Sequence, residues 1–337
     1  MDTSGKTTAV PVVLLYNIDE SWDEVDKNEV LTSGDVISDG LRAQGHEVIV
    51  VQVRDLGFVD ALENIDTATH VVMNLCEDIP GMPHSEGVAA QILEDMGFTY
   101  TGSVPEVLDL SGDKEAVKEF LIPRGIPTPA YQVFESDDIG DWNSYPCIVK
   151  PSNEHCSMGI SSKSVAANAE ELKAAIRASI ESLHQPALVE EFIDGREFHV
   201  TVWGNEKPEM LPPAEMDFSA FSDFHDRLCT YEAKHKPGSE HYTKIETLLP
   251  APLDDTLYKE LERVVTETYT AFGCRDYARL DLRLRGTEFH VLDINPNADL
   301  SHEASMAAAA EIAGYDYGIF CSSIVMMAAA RHPQYGS

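Results

Sequence analysis

The chain has 337 residues, enough for two or three packed modules, and its 43% apolar content supports an ordinary buried core. Acidic residues number 58 against 24 basic ones, a formal charge of −34 that opposes binding to nucleic acid or to an anionic membrane. No apolar run approaches the ~18 residues of a membrane span and the first residues lack a secretion-signal pattern, so a cytoplasmic location is expected.

So acidic a surface fits an ordinary soluble enzyme or one adapted to concentrated salt, where screening relieves self-repulsion. The six cysteines (Cys76, Cys147, Cys156, Cys229, Cys274 and Cys321) form no C-x-x-C pair and read as reduced, packed thiols.

In chain order, residues 9–16 (AVPVVLLY) read as a buried strand and residues 33–45 as a helix closed by Gly45. Residues 46–53 and 70–75 are further strands, and residues 85–97 a helix. Strands alternating with helices at this spacing argue a parallel sheet covered by helices, with ligands at the strand C-termini. A break at residues 100–113 closes a first domain, placed at 1–110. A second unit, 111–196, holds a helix at 114–125 and a strand at 145–152. A loop of small residues follows at 153–162, then a helix at 168–183 with an Asn168–Glu171 capping box and a strand at 186–193. The third unit, 197–337, opens with a hairpin over 197–211 that turns at Gly204-Asn205. Residues 215–247 lack clear periodicity and read as an active-site lid. A helix at 257–273, a hairpin over 277–295 turning at Arg285-Gly286, and two Ala-rich helices complete the chain.

Chemistry concentrates in that last hairpin. Its strands RLDLRL and HVLDIN carry Asp281, Asp293 and Asn295, which converge at one edge of the pair if the strands are antiparallel. Two carboxylates and an amide oxygen suit magnesium. Arg279, two residues before Asp281, shares its face and is placed to stabilise developing negative charge. Lys150 ends an apolar strand just before the small-residue loop, a position suited to phosphates, and Lys114 opens a helix.

In their order along the chain, YTGS (100–103), DKEAVKEFLIPRGIPTP (113–129), IVKPSNEHCSMGIS (148–161), LVEEFIDGREFHV (188–200), YEAKH (231–235), ARLDLRL (278–284) and LDINPN (292–297) make a set. The chain so resembles the ATP-grasp superfamily, and within it the D-alanine–D-alanine ligase-like enzymes, from about residue 10 to 325. The resemblance implies an α/β fold of α+β ATP-grasp type: an N-terminal parallel βαβ domain, then two α+β subdomains enclosing the nucleotide. It implies that Lys114 and Lys150 contact ATP phosphates, that the loop with Ser157 and Gly159 folds over them, and that Lys234 reaches the γ-phosphate. Glu190 and the backbone near Phe192 and Ile193 would hold the adenine, and Glu197 the ribose. Asp281, Asp293 and Asn295 would hold two magnesium ions (manganese being an alternative), and Arg279 would stabilise a tetrahedral intermediate. The implied reaction joins a small-molecule carboxylate and amine through an acylphosphate, releasing ADP and phosphate, in an enzyme whose family habit is the homodimer. D-alanine dimerisation proper and a phosphotransferase that stops at phosphoryl transfer are the alternatives.

The substrate residues depart from the family pattern. NEVLTSG keeps Glu29, Val30, Ser33 and Gly34 but has Leu31 for a serine; NLCEDIPGMPHSEG stands for a His-Gly, and NADLSHE for a Pro-Gly. These changes put Glu77, Asp78, Asp299, His302 and Glu303 near the expected cleft, where carboxylates favour a cationic amine.

Overall fold

The computed structural model describes residues 9–154 and 157–336, with the side chains of residues 234 and 235 outside the description. Its first module is β1 (Val12–Asn17), α1 (Glu24–Ala43), β2 (Val48–Val53), α2 (Phe58–Leu62), β3 (Val71–Leu75), α3 (Glu86–Asp95) and β4 (Thr99–Tyr100). The strands form a parallel sheet in the order β2-β1-β3-β4. β1 is buried along its whole length, as an unbroken apolar run in a covered parallel sheet should be. α1 begins at Glu24, not at Ser33. The carboxylate of Asp23 accepts the backbone N–H groups of Val25 and Asp26, and that cap starts the helix over two turns earlier.

The expected break at 100–113 contains a helix, α4 (Pro105–Gly112), whose proline occupies the first turn, where its missing N–H costs nothing. α5 (Lys114–Leu121) follows, capped by Asp113. The second sheet is antiparallel, β5-β8-β6-β7, built from β5 (Tyr131–Phe134), β6 (Cys147–Pro151), β7 (Val165–Ala166) and, after α6 (Ala169–Leu183), β8 (Ala187–Glu191). α6 has its expected start: Asn168 accepts from Glu170 and Glu171 backbone N–H, while the Glu171 carboxylate reaches back to Ala167 N–H.

The third sheet has six strands: β9 (Glu197–Trp203), β10 (Glu209–Met210), β11 (Ala214–Asp217), β12 (Glu246–Leu248), β13 (Tyr277–Arg285) and β14 (Glu288–Asn295). Their order is β12-β11-β9-β13-β14, with β10 paired to β9. Between β11 and β12 lie α7 (Tyr231–His235) and α8 (Glu240–Lys244), so the aperiodic stretch is partly sheet and partly short helix. α9 (Asp255–Phe272) covers the apolar face, where Phe198, Val200, Val202, Leu280, Leu282 and Ile294 form one core with Val264, Val265 and Tyr269.

α10 (Ser305–Ile312) and α11 (Tyr317–Ala329) return to the first module: Phe320, Ile324 and Val325 share a core with Val12, Leu14 and Leu41. Among the described residues no single helix is long and apolar enough to cross a membrane, and this core accounts for the apolarity of both helices. Asp276, fully buried, ties the seam by accepting from Gly102 N–H, Asn205 Nδ2 and the Arg331 guanidinium.

Candidate active site

Strand register builds the polar face of the third sheet. β13 pairs with β9 so that Arg279, Asp281 and Arg283 stand opposite Thr201, His199 and Glu197. Alternation puts all six on the face away from α9. On its other side β13 pairs with β14, and here the register shifts: Leu282 faces Val291, but Asp281 faces Asp293 and Arg279 faces Asn295. One extra residue, Leu292, is accommodated as a β-bulge. Without it Asp281 would face Leu292, and Asp293 and Asn295 would point into the apolar core. The bulge therefore gathers the two carboxylates and the amide that the sequence suggested.

Arg279 grips Asp281 with both carboxylate oxygens engaged, Nε to Oδ1 at 2.8 Å and Nη2 to Oδ2 at 3.0 Å. Asn295 donates its Nδ2 to the Arg279 carbonyl at 3.3 Å, which leaves its Oδ1 directed elsewhere. Two facing carboxylates on neighbouring strands repel each other unless a cation joins them. These hard oxygen donors fit magnesium.

Next to this face lies a buried ionic set. Glu190, 1% exposed, meets Lys118 at 2.8 Å and Lys150 at 2.7 Å. Burial alone would raise the Glu190 pKa, but the two ammonium groups outweigh it and hold the carboxylate at about 2. Lys118 also donates to Thr128 Oγ1 at 2.9 Å, and Thr128 donates to the carbonyl of Val291 at 2.8 Å, directly before the bulge. Lys114 Nζ donates to the Glu154 carbonyl in the small-residue loop. In that loop Ser157 and Gly159 both have positive φ, 61° and 73°. A Cβ on Gly159 would also stand 3.0 Å from Leu183 and 3.2 Å from Pro151, so the turn needs glycine there.

Glu197 is nearly fully buried and its oxygens are engaged, Oε2 by Arg283 Nε at 2.8 Å and Oε1 by His199 at 3.3 Å. Burial would raise its pKa, but Arg283 and then His199 hold it well below the carboxylate range. Phe192 and Ile193 are buried at the end of β8. The Phe192 N–H donates to Pro146, and the Ile193 carbonyl accepts from Arg283 Nη1 at 2.6 Å.

A cavity of ≈ 120 Å³ opens between the first and third modules, lined by Tyr16, Trp22, Ser33, Glu77, Asn297 and Asp299 among others. Gly34 lets α1 approach it, since a Cβ there would lie 2.7 Å from the Tyr16 ring. Asp299 is braced by Ser301, whose N–H and Oγ each donate to it at 2.8 Å. Burial first, then Asp299 and Asp78, raise the Glu77 pKa to about 7, although the side chain keeps solvent contact through the cavity. Glu86, less open, is raised to about 8 by burial and, against the Asn297 hydrogen bond, by Glu77, Asp78 and Asp109. A carboxyl whose pKa rises on folding stabilises the fold below its unfolded value of 4.5, and that contribution disappears as pH climbs through about 8. Glu86→Gln is expected to lose less stability than the parent over that window, read as the shift of the thermal midpoint with pH.

Of the expected substrate residues, Glu77 and Asp299 line the cavity. Glu29 is exposed on α1, His302 packs edge-on against Tyr317 at 4.9 Å, and Glu303 is exposed; all three stand outside the lining. Lys234 belongs to α7, but its side chain lies outside the described residues, as do His155 and Cys156 of the phosphate loop. The five described cysteines form no disulfide. Sequence reasoning missed Lys118 and Arg283. Both had signals: Lys118 sits one turn after Lys114 beside the core residues Val117 and Leu121, and Arg283 continues the Arg279–Asp281 alternation.

A parallel α/β module followed by two antiparallel sheets is the ATP-grasp architecture. The family model described as D-ala D-ala ligase C-terminus matches residues 121–326. A D-alanine–D-alanine ligase of Marinomonas sp. (strain MWYL1) is 34% identical, over 88% of this chain and 90% of that one. An uncharacterised protein, y4sG, of Sinorhizobium fredii (strain NBRC 101917 / NGR234) is 32% identical over 88% of each chain. The crystal structure of D-alanine–D-alanine ligase from Bacillus anthracis complexed with ATP superposes with a TM-score of 0.72 at 16% identity, covering 95% of this chain and 97% of that one. The chain belongs to the D-alanine–D-alanine ligase family. It is an ATP-dependent ligase that forms a C–N bond between small molecules.

Proposed function

We propose that the enzyme joins the carboxylate of an amino-acid-like molecule to an amine through an acylphosphate. The observation that carries this reading is the polar face on which Arg279, Asp281, Asp293 and Asn295 form two cross-strand pairs, tied through Val291, Thr128 and Lys118 to the Glu190–Lys150 pair. A carboxylate resists attack because it is negatively charged and has no good leaving group. Attack of its oxygen on the γ-phosphorus breaks the bond to ADP and installs phosphate as the leaving group. The amine nitrogen then bonds to the carbonyl carbon, phosphate departs with the C–O electron pair, and the nitrogen loses a proton.

In this reading Lys114, Lys150 and the turn at Ser157–Gly159 hold the phosphates, and Lys234 is the residue assigned to the γ-phosphate. Phe192, Ile193, Glu190 and Glu197 surround the base and sugar. Arg279, fixed by Asp281, keeps positive charge where the oxyanion develops. Asp281, Asp293 and Asn295 would hold magnesium, which neutralises phosphate charge during transfer. Positioning and fixed charge supply most of the acceleration.

The ≈ 120 Å³ cavity suits a small substrate, and Glu77 with Asp299 favours a cationic amine there. D-alanine is the substrate its named relatives suggest. Leu31 and Asp299, where the family pattern has a serine and a Pro-Gly, favour a different pair. ADP and phosphate release, with product mass, should be measured over D- and L-amino acids and diamines. A condensed product with ADP is expected. AMP release, a phosphorylated substrate alone, or no turnover with any pair would overturn this reading.

A further inference from the structure

Lys118 is almost fully buried, yet nothing in the proposed chemistry uses it. It meets one carboxylate oxygen of Glu190 while Lys150 meets the other, and so forms one arm of a Lys118–Glu190–Lys150 set. Lys150 is 12% exposed, Lys118 and Glu190 1% each, so Lys150 alone among the three has a path outward. Lys118 is also tied through Thr128 to the Val291 carbonyl, beside the bulge that orients Asp293. A lysine anchored this way cannot follow Lys150 toward a ligand.

A buried carboxylate that loses its counter-ion is strongly disfavoured. If Glu190 had only Lys150, any movement of Lys150 toward a phosphate would strand a negative charge. With two lysines present, one can leave. We infer that Lys118 is a positioning residue: it is the permanent counter-ion of Glu190, which lets Lys150 exchange that carboxylate for the nucleotide's phosphates. Charge is conserved in the exchange, because Glu190 stays balanced by Lys118 while Lys150 takes up phosphate charge. The inference rests on the nucleotide role proposed above for Lys150.

Magnesium–ATP binding to the full chain, followed by calorimetry, tests it. Lys118→Met is expected to weaken ATP by roughly 10- to 100-fold, because Glu190 then retains Lys150. The loss should fall on KM for ATP more than on kcat. Removing the carboxylate as well, in Lys118→Met/Glu190→Gln, is expected to restore affinity to within about 3-fold of Glu190→Gln alone. A merely structural lysine would not show that rescue. Unchanged ATP affinity in Lys118→Met, or a double variant more than about 10-fold weaker than Glu190→Gln alone, overturns the inference while leaving the nucleotide site intact. If Lys118→Met does not fold, Glu190→Gln and the double variant remain to compare, and a further loss above about 10-fold on adding Lys118→Met overturns it. Failure of the parent chain to bind ATP overturns the nucleotide reading, and this inference with it.

Discussion

Asp293→Ala is expected to lower turnover by about 10²–10³-fold, the scale seen when one preorganised charge-stabilising group is lost, while the fold stays intact. The reason lies in the register. Asp293 faces Asp281 across the hairpin, and like charges set opposite each other destabilise a sheet. Removing one carboxylate relieves that repulsion, so in chelator the variant should melt at the parent's temperature or slightly above it. With magnesium and saturating ATP, ADP release should remain low, because the pair that would hold the ion is broken. Falling activity without falling stability is the mark of a site where function is kept at the fold's expense. Near-normal ADP release from Asp293→Ala with magnesium present would contradict the role assigned to the hairpin.

Arg283→Met should have the largest effect on stability, about 3–5 kcal/mol, the usual cost of leaving one partner of a buried ion pair alone. Arg283 is 3% exposed. Its guanidinium holds Glu197, the Ile193 carbonyl and the Arg227 carbonyl, and it lies over the Phe192 ring at 4.6 Å. Urea unfolding near neutral pH would measure the loss. The sign with pH follows from Glu197, whose pKa is depressed in the fold below the ordinary 4.5. Its contribution is present above 4.5 and fades as pH falls below it, so the gap between parent and variant should narrow in acid. Arg283→Met/Glu197→Gln should recover much of the loss, since no unpaired charge is then buried. An unchanged urea midpoint in Arg283→Met would show that the pair contributes nothing to the fold.

Much of the site is legible in the chain because its signals are local. Alternation in RLDLRL puts Arg279, Asp281 and Arg283 on one face whatever the rest of the protein does. Lys150 at a strand end before a small-residue loop is equally local. The bulge at Leu292 is not: strict alternation would send Asp293 and Asn295 to the face opposite Asp281, and only pairing with β13 shows the extra residue. The lost first turns of α1 and the helix within 100–113 have a different cause. Their starts depend on a cap at Asp23 and on Pro105 at a first turn, both of which also read as loop residues.

By itself the chain determines its periodicities: a parallel α/β beginning, two later sheet-forming units, and a hairpin carrying hard oxygen donors. Those follow from residue spacing, because side chains two apart on a strand or four apart on a helix share a face regardless of context. The tertiary structure alone decides which faces meet. It folds α10 and α11 back onto β1, pairs Lys118 with Glu190, and leaves Glu77 and Asp299 facing one cavity while Glu29 looks to solvent. These pairings join residues distant in the chain, and their energies are settled by burial and charge neutralisation, which no local window of sequence contains.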